Sequence, residues 1–468
     1  MKKNNLLSII YIIVFICIIS SLSLLMPIVK SDMDKEKRNA AKLPKIVKEN
    51  KLNTDFFDEL TDYFSDNFAF RQQLSTADAV IKANVFKTSN QERVVLGKED
   101  WLYYSESMHD YLGRDVMSER GINNAVRVLF LIQENCSDNG RKFLFVVAPN
   151  KNSLYPQYMP DNFLRTDSDT NYDMLRNGMI DSGINFVDLH QAFRDDDRIM
   201  YHRLDSHWNN EGATFAVDLM FSALDKEHYD YTDEPYTIQK IHRGDLYNIL
   251  YPSLDELDDN VIYDREHIYT YVNDVSSVED PIILTSNDYA EGSVVMFRDS
   301  YGNASMPYIA DEFGRGFFSK GQPVDLDQAV YQNADTVIYE IVERNIGWII
   351  EYLPYMDAPI RVFDEAVQYV EDADTSINIE DKGNRFLIYG KVDERYTDDT
   401  SYIYLGITLS DGSRMVYEAS PASYESVDSV NEAYYSYGAY INKAFLSGDF
   451  DVEIITEKND KWYGYVSK

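Results

Sequence analysis

Leu204-Asp205-Ser206-His207-Trp208-Asn209 sets a carboxylate two positions before an imidazole, and Phe297-Arg298-Asp299-Ser300-Tyr301-Gly302 sets a hydroxyl after an apolar run. A serine hydroxyl is a poor nucleophile until a base takes its proton, and the base needs an acid to fix its tautomer. In an extended Asp-x-His both side chains project to one side, which meets the second need locally. Ser300 follows the strand-like run Ser293 to Phe297 and precedes Gly302, Asn303 and Ala304, small residues that suit a tight turn into a helix. Such a turn exposes the hydroxyl and offers helix N–H groups to a developing oxyanion. Together the two stretches hold the parts of a serine triad. Helix capping is the bland reading of each alone, and His190, two after Asp188 at a strand end, is a rival imidazole.

Positioning these groups falls to alternating segments. Arg120 to Cys136 carries Ile122, Val126, Leu129 and Ile132 on one helical face, and Lys142 to Ala148 is a continuous apolar run of the kind found in buried parallel strands. Asp173 to Asp181 reads as helix, Ile184 to Leu189 as strand, and Gly212 to Leu224 as a helix with Ala213, Ala216, Val217 and Met220 inward. Ser293 to Phe297 and Thr336 to Val342 are further apolar strands, the rhythm of a parallel α/β sandwich. Active sites of such sheets gather at the carboxyl ends of the strands. After Val367 the pattern changes to short alternating strands, with Asp411-Gly412 as a hairpin turn, which fits a small antiparallel β domain.

The chain has 468 residues, enough for two or three domains, and its 44% hydrophobic content excludes wholesale disorder. A formal net charge of -35, spread along the chain, disfavours nucleic acid as a partner. From Leu6 to Val29 no charge occurs. That run reaches about 36 Å as a helix, enough to cross a bilayer core, so residues 1–30 read as a transmembrane anchor. Lys2 and Lys3 place the amino end in the cytoplasm, although Lys30, Lys35, Lys37 and Arg38 on the far side weaken that orientation. Cys17 lies inside the run and Cys136 in helical register with Leu129 and Ile132, so the two form no disulfide framework. No ligand spacing supports a metal site, and no cofactor is expected.

Further motifs stand in order: Asn67-Phe68-Ala69-Phe70-Arg71, Gly97-Lys98-Glu99-Asp100-Trp101-Leu102-Tyr103, Pro149-Asn150-Lys151-Asn152-Ser153-Leu154-Tyr155-Pro156 and Tyr339-Glu340-Ile341-Val342-Glu343-Arg344. With Asp-x-His-Trp, Asn-x-x-Gly-Ala and Asp-Ser-Tyr they resemble the SGNH-hydrolase-like domain of the alginate O-acetyltransferase proteins and their DHHW relatives. The resemblance covers about Lys35 to Glu351. It implies a three-layer α/β/α sandwich over residues 89–366; the residue pattern places a helical stalk or cap at 31–88 before it and the β domain at 367–468 after it. It also implies acetyl transfer with Ser300 as nucleophile, His207 as general base and Asp205 as the orienting acid. Asn150, Lys151, Arg298, Tyr301 and Trp208 are candidates for oxyanion or substrate binding, with Trp208 equally suited to the core. Arg298 stands where the family has glycine, and Asp-His-His-Trp has become Asp-Ser-His-Trp. Glu340 and Arg344, one helical turn apart, suit a structural ion pair. The implied partners are a cell-wall or capsular polysaccharide as acceptor and a membrane-bound O-acyltransferase as acetyl donor, both outside the cell. A carbohydrate esterase with the same triad, or a glycan-binding scaffold using aromatics such as Tyr402, Tyr404, Tyr440 and Trp462, are the alternatives.

Overall fold

A computed structural model describes residues 2–29, 40–48, 51–165, 168–427, 429–446 and 448–466. The start of the stalk, with Lys30, Lys35, Lys37 and Arg38, lies outside them. Helix α1 (Lys2–Leu24) opens the chain, and its side chains are described from Ser8 on. Among the described residues no helix is long and apolar enough to cross a membrane. The stalk segment forms α2 (Phe56–Asn67) and α3 (Arg71–Ile81), and the Ala69 N–H between them donates to Leu22 O of α1 at 3.1 Å.

Seven strands build the central sheet: β1 (Lys142–Ala148), β2 (Phe186–Val187), β3 (Thr270–Tyr271), β4 (Ile282–Ser286), β5 (Ser293–Phe297), β6 (Arg315–Ser319) and β7 (Thr336–Val342). Their order is β2-β1-β7-β5-β6-β4-β3. The first five run parallel, whereas β4 pairs antiparallel with both of its neighbours, β6 and β3. The sheet is therefore mixed, where the sequence pattern pointed to a parallel one. Only a short loop joins β4 to β5, and a parallel return needs a crossover of a dozen or more residues. β2 is also shorter than the predicted run from Ile184 to Leu189, because Asp188 already caps the next helix by accepting from Gln191 N at 3.0 Å.

Strand alternation separates two cores. Phe143, Phe145, Val295, Phe297, Val337 and Tyr339 point to one side, where α4 (Glu119–Asp138) and α5 (Asn171–Asp181) cover them. Leu144, Val146, Val294, Met296 and Ile338 point to the other, under α6 (Leu189–Arg194), α7 (Asn210–Ala223) and α8 (Gly302–Asp311). Strands buried on both faces need apolar residues throughout, which is why β1, β5 and β7 read as unbroken runs.

Beyond residue 360 two β-sheets enclose a third core around Ile388, Leu405, Ile454 and Tyr465. The larger has six strands and the smaller three. One pairing departs from the antiparallel expectation, Val367–Tyr369 running parallel to Lys461–Val466. This region packs on α4. Tyr434 and Tyr440 join the α4 side of the central core, Arg120 Nε donates to Tyr434 O at 2.8 Å, and Arg127 forks onto the buried Glu418. Cys136 is buried there, and burial pushes its thiol up to about 12. Tyr440 accordingly serves packing.

Candidate active site

The loop before α7 is closed like a hairpin. Tyr201 bridges to Trp208, Asn209 N donates to Met200 O at 2.9 Å, and the Asn209 side chain caps α7 by accepting from Gly212 N. Inside the loop lies the Lys151 ammonium, which donates to the carbonyls of His202, Arg203 and Asp205 at 2.9, 3.0 and 2.6 Å. Those three bonds use all its protons, so the expected oxyanion role for Lys151 is corrected to that of a staple for the loop. Burial pushes the amine down to about 7.

Behind the loop the chain approaches so closely at Gly244 that a Cβ there would lie 2.2 Å from Leu204 O. That approach delivers the Asp245 N–H to Asp205 Oδ2 at 2.8 Å. Asp205 is only 4% exposed. His207 Nδ1 donates to its Oδ1 at 2.7 Å, and His242 Nε2 donates to its Oδ2 at 3.0 Å. Burial opposes ionisation of this carboxyl, yet the two imidazoles overcome burial and hold it well below the usual carboxylate range.

Ser300 leaves the carboxyl end of β5 on a turn bolted to its neighbour β7. Asp299 accepts from Tyr301 N at 2.9 Å, from Val342 N at 2.7 Å and from Asn345 Nδ2 at 3.0 Å. At Gly302 a Cβ would meet Arg298 Cβ at 2.7 Å and Glu340 Oε2 at 3.0 Å, so only glycine lets α8 start this near the strand. The outcome is a hydroxyl aimed at the loop: Ser300 Oγ donates to His207 Nε2 at 2.8 Å, across 93 residues of chain. The His207 side chain is 18% exposed, which leaves one edge of the pair open. A hydroxyl on an imidazole backed by a buried carboxylate is an arrangement that can abstract the serine proton. Asp205, His207 and Asp245 also offer ligand atoms within 4.8 Å of one another, but Asp205 and His207 spend theirs on each other and Asp245 spends its own on Ser206.

The other candidates separate. Tyr301 spends its N–H on Asp299 and its hydroxyl on Ser206 O at 2.7 Å, so neither is free for a substrate. Its ring, rather than that of Trp208, lies against His207 at 4.8 Å. Trp208 is core: its indole N–H donates to Tyr301 O at 3.0 Å and its ring meets Tyr301 edge-on at 5.4 Å. Arg298 is buried beneath the turn, bonded to Asn303 and to Val278 O, and is no oxyanion donor. Asn150 keeps a buried Nδ2 without an acceptor, while its Oδ1 accepts from Arg344 at 3.3 Å. The expected Glu340–Arg344 pair is absent. Glu340 faces Arg298 and Asp299, and burial followed by the Asp299 charge pushes its carboxyl well up. Arg344 turns instead toward Tyr301, 5.6 Å from the ring centroid. His242 is passed over in the sequence because no carboxylate stands two positions before it, and Asp245 went unseen; the one cue was the Gly244-Asp245 pair at a helix start.

Residues 94–283 match the family model described as "SGNH hydrolase-like domain, acetyltransferase AlgX". Asp205, His207, Asn150 and Lys151 fall inside that match, and Ser300 lies beyond it. The chain is 28% identical over 189 residues to a probable alginate O-acetylase AlgJ of Pseudomonas syringae pv. tomato, a match covering 38% of this chain and 46% of that relative. The chain therefore spans about half the length of the curated relative it matches. Among solved structures it is similar to PatB1 of Bacillus cereus, with TM-score 0.44, 16% identity and coverage of 54% and 96% of the two chains. It is similar also to AlgX of Pseudomonas aeruginosa, with TM-score 0.36, 11% identity and coverage of 82% and 98%. Residues 94–283 are thus similar to the SGNH hydrolase-like domain of the acetyltransferase AlgX, and the chain is similar in part to AlgJ.

Proposed function

We propose that the chain is a membrane-anchored O-acetyltransferase that moves an acetyl group through an ester on Ser300 to a hydroxyl of a cell-wall or capsular polysaccharide. The observation that carries this reading is the hydrogen-bonded line Asp205–His207–Ser300, at 2.7 and 2.8 Å, in a chain of that family match. Ser300 Oγ attacks the acetyl carbonyl as His207 Nε2 takes its proton. The oxyanion is met by the Ser300 N–H and by Asn150 Nδ2, neither of which has an acceptor among the described residues. Collapse expels the donor's leaving group with the proton from His207 and leaves the acetyl ester. A sugar hydroxyl then attacks, His207 takes its proton, and Ser300 departs with it.

Helix α1, with its side chains described from Ser8 on, is the described part of the proposed anchor, the uncharged run from Leu6 to Val29. Ile9 through Ile13, Phe15 and Ile18 are exposed around its whole circumference, and α1 is tied to the stalk through Leu22. It keeps the site on the outer face, near a membrane-bound acyltransferase that supplies the acetyl group.

The test uses the full chain in detergent with 4-nitrophenyl acetate and a wall-derived oligosaccharide. Acetylated sugar by mass, and an acetyl adduct on the Ser300 peptide that Ser300→Ala lacks, are the expected results. Acetate release at one rate with or without sugar would mark an esterase, and ester cleavage surviving in Ser300→Ala would sink the triad. Turnover should fall on the acid side, where a histidine base is blocked by its own proton. A flat profile would speak against a histidine base.

A further inference from the structure

Asp205 carries two imidazoles, and a nucleophile, base and acid account for one of them. His207 takes Oδ1 through both its N–H and its Nδ1, while His242 Nε2 and Asp245 N share Oδ2 at 3.0 and 2.8 Å. A carboxylate turns about its Cβ–Cγ bond, so the donors on the far oxygen decide the plane in which the near oxygen meets His207. Resting on the triad reading, we propose that His242 is a positioning residue. By donating to Oδ2 it fixes the Asp205 carboxylate so that Oδ1 holds His207 aligned with Ser300.

The protein has built a seat for this imidazole. His242 ends one strand of a two-stranded ribbon, Tyr236–His242 against Asp258–Tyr263, and the register slips between Lys240 and His242. A bulge of this kind re-aims a side chain, and bulges collect beside active sites. The preceding ribbon residues are exposed, whereas His242 turns inward and lies flat on His202, with centroids 3.6 Å apart and planes 4° from parallel. His202 is buried and its Nδ1 faces Asp259 O at 3.1 Å. Burial, and then the neighbouring His242, push His202 down to about 3, so the lower ring stays neutral under the upper one.

The charged groups facing His242 come from every element around it. Asp205 stands on the catalytic loop, Asp245 on the short helix that follows the ribbon, and Asp258 opposite on the partner strand. The Lys151 ammonium lies behind the loop carbonyls. Three carboxylates against one amine favour an imidazole that presents N–H to Asp205.

The test reads the nucleophilicity of Ser300 directly, as the rate at which phenylmethylsulfonyl fluoride adds to the full chain, with the adduct located by peptide mass. His242→Ala should slow the addition about tenfold at an unchanged melting temperature. His242→Gln, whose amide reaches the same place with an N–H and does not titrate, should stay within about threefold of the parent. In an Asp205→Ala background His242→Ala should slow the reaction no further, because it acts through Asp205. A parental rate in His242→Ala, an equal loss in His242→Gln, or the same factor in the Asp205→Ala background would overturn the proposal. A parent chain that takes no adduct at Ser300 is a separate outcome, overturning the triad reading and this inference with it.

Discussion

Two clusters in this protein each join a serine, a histidine and a carboxylate, wired in different orders. At the sheet's open end, Ser300 donates to His207 and His207 donates to Asp205, so the imidazole is in the middle. Beneath it, Ser153 Oγ donates to Glu343 at 2.9 Å and His190 Nε2 donates to the other oxygen of Glu343 at 3.0 Å, so the carboxylate is in the middle. A serine bonded to a carboxylate keeps its proton, and one bonded to a neutral imidazole can lose it. Exposure differs as well. His190 and Glu343 are each 2% exposed, and His190 is stacked on Tyr172 at 3.5 Å, so no substrate reaches them. Connectivity and access, more than composition, separate a reactive site from a buried brace.

The sharpest way to break this contrast is to delete each serine and each imidazole in turn. Ser300→Ala or His207→Ala should lower acetyl-ester turnover by about a thousandfold or more, and the double variant should be no worse than either. Ser153→Ala should leave turnover within about threefold, since its hydroxyl only braces Glu343. Steady-state rates on chains checked for an unchanged melting temperature decide it. A Ser153→Ala loss as large as that of Ser300→Ala would mean that the two clusters work as one.

Stability should show the reverse ranking. Glu343 is ionised although buried: burial opposes it, and the His190 imidazole with the Asn150 N–H at 2.7 Å overcomes that cost, which holds the carboxyl well below 4.5. A folded-state value below the unfolded one stabilises fully above about pH 4.5 and is lost as pH falls through the folded value. Glu343→Gln should cost about 3 kcal/mol at pH 7, as breaking a buried pair does, and the penalty should shrink toward pH 3. The neighbouring Asp110 titrates in the opposite sense, pushed up by burial and the Glu343 charge. Denaturant midpoints are therefore best compared in an Asp110→Asn background. A penalty that stays the same from pH 7 to pH 3 would show that the charge on Glu343 is not what stabilises.

What could be read from the sequence divides along the same line. Strands β1, β5 and β7 were visible because burial on both faces demands apolar runs, and Asp205, His207 and Ser300 because the roles proposed for them need those residue types near helix starts. Strand direction was not legible: Ile282 to Ser286, which the sequence pattern did not single out as a strand, runs against β6, and its short link to Ser293 is what reverses it. The job of Lys151 was hidden because its acceptors are backbone carbonyls, which carry no sequence signal. His242 was hidden because a bulge, rather than a motif, turns it inward. The segment from Tyr339 to Arg344 lies beside the Ser300 turn, yet its spacing misled on pairing. In β7 and the turn after it, Glu340 and Arg344 point apart, whereas a helix would have stacked them.

The smallest effect tests why the second Asp-x-His is no triad half. Asp188 and His190 have the spacing of Asp205 and His207, but Asp188 caps α6 and His190 lies inside its first turn. Helical geometry then carries the two side chains apart. Asp188 takes the Tyr172 hydroxyl at 2.8 Å, the Gln191 N–H and the Arg176 guanidinium, while His190 turns to Glu343. The loop before α7 bends through Asp205 to His207 without entering a helix, because the cap there falls two residues later, at Asn209, and the bend lets His207 N donate to Asp205 Oδ1 at 3.0 Å. Asp188→Asn keeps a good cap and loses mainly the charge opposite Arg176, whose side chain is 38% exposed, so it should cost at most about 1 kcal/mol. Turnover should stay within about twofold, against a loss of about a thousandfold or more for Asp205→Asn. Equal losses in the two variants would mean that Asp188 also serves the reaction, and that position relative to a helix cap does not decide which pair does chemistry.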